Sequence, residues 1–170
     1  EARAALLPDG AAAWVSVLRN GGFEAGIPAY PPRSWTISHP RRMGFSWPYW
    51  SQEQPRSGAS ALKFVRPEVA MSLIAQPMRL LVGGRYRLRF HAMGNASTVE
   101  VGVSGTRGAR AAVKVEPSTE WRAYETELDL HPGYTQLTIA FGNGGEPDQV
   151  LWLDDIDLSR RVDGVAATQP

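Results

Sequence analysis

The segment Met43-Gly44-Phe45-Ser46-Trp47-Pro48-Tyr49-Trp50 gathers four aromatic rings in one short stretch. Three of them, Trp47, Tyr49 and Trp50, flank a proline that stiffens the chain. Rings of this kind offer a flat apolar face with a polar tip, the chemistry that stacks on the apolar face of a sugar ring. The same rings would serve equally to close a gap at the end of a hydrophobic core.

A second group is built on alternation. Arg85, Arg87, Arg89 and His91 recur at every second residue, as do Glu125, Glu127 and Asp129. Successive side chains of a strand point to opposite faces, so each set shares one side. Arginine at such positions hydrogen-bonds hydroxyls or pairs bidentately with a carboxylate. Facing rows of Arg and Glu also form solvated cross-strand ion pairs. Glu100, Gly102 and Ser104, with Thr138, Ala140 and Gly142, alternate in the same way. Placed side by side, these small residues would leave a shallow trough, with the Arg and Glu rows as its walls.

Catalytic patterns are weak. His39, His91 and His131 lack metal-ligand spacing, and no G-x-S-x-G elbow is present. Glu125 and Glu127 share a face, but residues i and i+2 of a strand lie about 7 Å apart, between the retaining and inverting separations of glycosidases. No catalytic residue is assigned.

These residues need strands to hold them. In Arg85–Ala92 the residues Tyr86, Leu88, Phe90 and Ala92 form the apolar set. Thr98–Ser104 repeats the pattern with Val99, Val101 and Val103, and Gln136–Gly142 with Leu137, Ile139 and Phe141. Further strands are expected at 14–18, 61–66, 69–75, 111–116, 121–130 and 150–158. Gly83-Gly84, Gly94-Asn95, Pro117-Ser118, Pro132-Gly133 and Gly144-Gly145 supply turns between them. No stretch between 14 and 158 holds a helical period. The fold class is therefore all-β: a two-sheet antiparallel β-sandwich of jelly-roll type.

The 170 residues suit one domain over 14–159, with a lead-in segment over 1–13 and a tail or linker over 160–170. Eighteen basic and 17 acidic residues nearly cancel, which argues against nucleic acid as partner. Cysteine is absent, which excludes disulfides and thiolate chemistry. No apolar run of about 18 residues is present to insert in a membrane. The chain starts at Glu1, and we read it as a processed or trimmed piece of a longer protein that is secreted, periplasmic or displayed at the cell surface.

Five short motifs then occur in order: Leu18-Arg19-Asn20-Gly21-Gly22-Phe23-Glu24 followed by Trp35; Ser57-Gly58-Ala59-Ser60-Ala61-Leu62-Lys63-Phe64; Leu81–Phe90; Trp121 with Tyr124; and Leu151-Trp152-Leu153-Asp154-Asp155-Ile156-Asp157-Leu158. Over roughly residues 15–160 this order resembles the carbohydrate-binding modules of the CenC type (families 4, 9 and 22), within the galactose-binding-like jelly rolls. The resemblance implies non-catalytic recognition of a polysaccharide or oligosaccharide, with Trp35 and Trp121 in the core. It also implies a structural calcium, with side-chain ligands from Glu24 and from Asp154 or Asp155 and carbonyls from the Asn20 and Ser57-Gly58 regions. By plain alternation Asp154 and Asp155 would face opposite ways. The expected sugar ligands are Trp47, Tyr49, Trp50, Arg87, Arg89, His91, Glu125 and Glu127. The alternatives are a protein-interaction or structural jelly roll of a cell-surface or export-system protein, and a small polysaccharide lyase or glycosidase.

Overall fold

A computed structural model describes residues 13–28, 30–38, 49–65, 71–75, 78–96, 99–141 and 149–163. Trp47, Gly142 and the Gly144-Gly145 turn lie outside them. Among the described residues twelve strands carry the fold: β1 (Ala13–Ser16), β2 (Trp35–Ser38), β3 (Tyr49–Ser51), β4 (Ala61–Val65), β5 (Met71–Ala75), β6 (Met78–Leu80), β7 (Gly84–Gly94), β8 (Val99–Gly105), β9 (Arg110–Lys114), β10 (Ser118–Leu130), β11 (Gly133–Phe141) and β12 (Val150–Val162). The one described helical piece is a single 3₁₀ turn, Thr106–Gly108.

The strands form two antiparallel sheets. The first runs β10-β7-β12-β4-β3, with β1 also paired to β12; the second runs β2-β5-β11-β8-β9, with β6 also paired to β11. The alternating apolar residues meet between them. Leu88 and Phe90 from the first sheet and Val101, Leu137 and Ile139 from the second are all fully buried in one cluster. Burying such a side chain contributes roughly 1.5–3 kcal/mol. Phe23, also fully buried, packs its ring 5.4 Å from that of Trp35 and so joins the leading segment to this core.

Several local expectations are corrected. β12 continues through Arg160–Val162, residues read as tail, because Ala13–Ser16 of β1 pairs with Ser159–Val162. Tyr49 and Trp50 begin strand β3 rather than ending a loop. Trp121 is half-buried on the irregular start of β10 and stands outside the core cluster. The simple alternation of β12 also fails. Asp154 is opposite His91 and Asp157 is opposite Arg89, so three steps on β12 face two on β7. This bulge takes one extra residue, and Asp155 within it has φ 50. The shift lets Leu151 and Leu153 on one side of the bulge, and Ile156 and Leu158 on the other, all enter the core.

Candidate functional site

The small-residue strands do lie side by side. On β8, Gly102 is opposite Thr138 of β11 and Ala112 of β9; Ser104 is opposite Gln136 and Arg110; Glu100 is opposite Ala140 and Lys114. The result is a cavity of about 220 Å³ on the outer face of the second sheet, lined by Glu100, Gly102, Ser104, Arg110, Thr138 and Ala140. Gly102 keeps its floor low: an added Cβ would stand 3.3 Å from both the Ala111 carbonyl oxygen and the Ala112 Cβ. The wall is charged, with Arg110 Nη2 3.6 Å from Glu100 Oε1 and both side chains exposed. Sequence reasoning named the floor and missed Arg110, which faces Ser104 across the β8–β9 pair and so belongs to the same outer face.

The expected walls are elsewhere. Arg85, Arg87, Arg89 and His91 on β7 pair with Asp129, Glu127, Glu125 and Ala123 on β10, all in the first sheet. Trough and Arg–Glu rows therefore occupy opposite outer faces, because consecutive strands β7 and β8 belong to different sheets. The rows also interact among themselves. Arg85 Nε donates to Glu127 at 2.8 Å and its Nη1 lies 3.4 Å from Asp129. The Arg87 guanidinium lies 4.3 Å from the ring centroid of Trp14, a cation–π contact, with its Nε buried and without a hydrogen-bond partner among the described residues. Arg89 is exposed between Glu125 and Asp157.

His91 and Arg89 line a separate recess with Arg56, Asp155 and Asp157 beside the β12 bulge. His91 Nδ1 is 3.9 Å from Asp155 Oδ2 and has no hydrogen-bond partner among the described residues. Burial, with the charge of Arg56, holds the imidazole below its usual range against the opposing pull of Asp155.

Of the aromatic segment, Tyr49 and Trp50 are described and half-buried. Trp50 turns inward: its Nε1 donates to the Phe23 carbonyl at 2.7 Å, and its ring packs against the core margin. A Cβ on Gly26 would meet that ring at 2.4 Å, so the indole is held by the 23–26 backbone. Tyr49 stands opposite Lys63 of β4 on the first sheet.

The residues expected to hold calcium form a clasp between the leading segment, the 56–60 turn and the β12 bulge. Asp154 is fully buried. Its Oδ2 accepts the backbone N–H of Arg56 at 2.9 Å and of Ser57 at 3.1 Å, and its Oδ1 that of Asp155 at 2.7 Å. Burial pushes this carboxyl up, against those donors, which pull it down. Asp155 accepts from the Arg56 guanidinium and the Ser57 hydroxyl, each at 2.6 Å. Both oxygens of Glu24 face the Ala59 N–H, at 3.0 and 3.2 Å. The Asn20 side chain is bonded to the backbone of Ala25 and Arg33, and the Asn20 backbone carbonyl accepts from Trp35 Nε1. Calcium wants six to eight converging oxygens. Here the carboxylates face N–H groups, a hydroxyl and a guanidinium, and no three acidic or histidine side chains converge among the described residues. The donor set does not fit the ion as it stands. The bulge, invisible to simple alternation, lets both Asp154 and Asp155 reach the 56–57 turn.

No protein-family model matches the chain. It is 28% identical over 148 residues to exochitinase 1 of Streptomyces olivaceoviridis, covering 86% of this chain and 22% of the length of that protein. Among solved structures, a family 61 carbohydrate-binding module in complex with β-1,4-galactotriose superposes with a TM-score of 0.61 at 23% identity, over 85% of this chain and 97% of that one. A family 4 module superposes with a TM-score of 0.56 at 20% identity, over 84% and 98%. The two-sheet sandwich of this chain is the fold of carbohydrate-binding modules.

Proposed function

We propose that this chain is a non-catalytic carbohydrate-binding module that holds a stretch of neutral oligosaccharide or polysaccharide in the trough on the second sheet. The observation that carries the reading is the low floor of Gly102, Ala140 and Thr138 across adjacent strands, rimmed by Ser104, Glu100 and Arg110, which can donate to and accept from sugar hydroxyls. Galactotriose bound to the family 61 module and the chitinase likeness support a glycan as ligand. Among the described residues Glu100 is the one carboxylate lining the trough, whereas glycoside hydrolysis needs two flanking the scissile bond. The module then serves as the targeting part of a longer, exported glycan-acting protein.

The test is calorimetric titration with β-1,4-linked gluco-, xylo-, galacto- and chito-oligosaccharides. Ser104 is exposed, so Ser104→Trp fills the trough without entering the core. Binding by the wild type that is lost at the trough in Ser104→Trp supports the assignment. Binding unchanged in that variant moves the ligand elsewhere. No binding to any glycan, together with a specific dimer by light scattering, would replace the reading with an interaction domain.

A further inference from the structure

The outer face of the first sheet carries a row of residues that the Arg–Glu pairs do not occupy. Tyr49 is opposite Lys63, Lys63 opposite Trp152, and Trp152 opposite Met93, across β3, β4, β12 and β7. Lys63 Nζ sits 4.8 Å over the Trp152 ring and pairs with Glu53, which closes the row on the β3 side. On the other side the strands separate. Ser118 of β10 is opposite Gly94, but Arg122 is opposite Ala92, so four steps on β10 face two on β7. Ser118, Thr119, Glu120 and Arg122 around this irregularity line, with Met93 and Trp152, a recess of about 650 Å³. Its far wall is Gln54, from the turn after β3.

The walls are fixed by the backbone. Gly94 has φ +141, and a Cβ there would lie 2.1 Å from the Val150 carbonyl oxygen. Asn95 Oδ1 accepts the Val150 N–H at 2.7 Å, and Ser118 Oγ bonds the backbone of Glu120 at both its N–H and its carbonyl. A strand bulge of this kind re-aims side chains at a site. The volume falls in the range of small-ligand pockets, which combine an apolar floor with a few polar groups.

We infer a second saccharide site in this recess, on the sheet opposite the trough, which takes a neutral pyranose. Half-buried Met93, with the 5% of Trp152 that stays exposed, gives a small apolar floor for the C–H face of a sugar ring. Gln54 and Thr119 offer donors and acceptors to hydroxyls, and Arg122 and Glu120 add one charge of each sign. Their charges cancel, so the recess suits an uncharged ligand rather than a uronate or sulfate. The inference rests on the chain being a glycan-binding module, but its location is independent of the trough.

Calorimetric stoichiometry on the intact chain tests it, with the same neutral oligosaccharides. The wild type should bind two ligands per chain and Ser104→Trp one. Adding Gln54→Ala with Arg122→Ala, two exposed substitutions outside the core, should weaken that remaining site at least tenfold. A wild-type stoichiometry of one, abolished by Ser104→Trp, would overturn the second site and leave the trough reading intact. A stoichiometry of one that survives Ser104→Trp and falls with the Gln54→Ala, Arg122→Ala pair would support the recess and remove the trough. Absence of binding by the wild type would overturn both.

Discussion

Asp154→Ala removes the acceptor at the centre of the clasp. In the native fold this fully buried carboxylate takes the N–H groups of Arg56 and Ser57 on one oxygen and that of Asp155 on the other. A buried donor left without an acceptor costs about 1–3 kcal/mol. Arg56 and Ser57 sit on an exposed turn, where water can replace part of the loss, so the lower half of that range applies to each. Burial also raises the Asp154 carboxyl, and removing a disfavoured charge offsets some of the penalty. The expected net loss is about 2–4 kcal/mol. For a chain of this size that lowers Tm by roughly 5–15 °C. Urea unfolding followed by tryptophan fluorescence measures it, with Arg56→Ala as control. That substitution breaks only a solvent-screened pair to Asp155 and should cost about 1 kcal/mol or less. Asp154→Asn, which keeps one carbonyl oxygen for the turn, should fall between the two. If Asp154→Ala lies within about 0.5 kcal/mol of the wild type, the two N–H bonds from Arg56 and Ser57 do not hold the turn to β12 and the reasoning fails.

Thermal unfolding of the wild type should be the same in chelator and in excess calcium; a rise in Tm with calcium would mean that Glu24 and Asp155 turn from their present partners toward the ion. His91 is depressed by burial, so the stability it contributes is present above its unfolded value near 6.5 and lost as pH falls through the lower folded value. Urea midpoints of wild type and His91→Gln compared at pH 7.5 and pH 5 should show the steeper loss in the wild type; equal slopes would refute this. Gly94→Ala should destabilise by well over about 1 kcal/mol, since it strains a positive φ and drives a methyl into the Val150 carbonyl. A near-neutral result by the same unfolding assay would contradict that close approach.

Core-facing residues were legible wherever one face is buried and the strand is regular. Tyr86, Leu88, Phe90 and Ala92, or Val99, Val101 and Val103, announce their strands because period-2 burial leaves a period-2 pattern. The floor of the trough was legible for the same reason. What alternation cannot convey is which sheet a strand joins. Arg87 and Gly102 both read as outward, yet they face opposite directions, because the chain crosses between sheets from β7 to β8. Short strands such as Trp35–Ser38 and Met78–Leu80 carry too few residues to display a period. Bulges were equally hidden. One extra residue near Asp155 brings both aspartates to the same turn, and the slip in β10 opens a recess over Met93 and Trp152. The Trp50 indole was read as a platform because its composition suits one; the carbonyl of Phe23, distant in sequence, draws it inward instead.

The pairing of Ala13 with Val162 makes the two outlets of the sandwich neighbours. β12 begins with Val150, at the rim of the recess, and its thirteen residues carry the chain about 40 Å away before it leaves. Anything fused before or after the sandwich thus hangs from one shared corner, while the recess points outward at the opposite extremity.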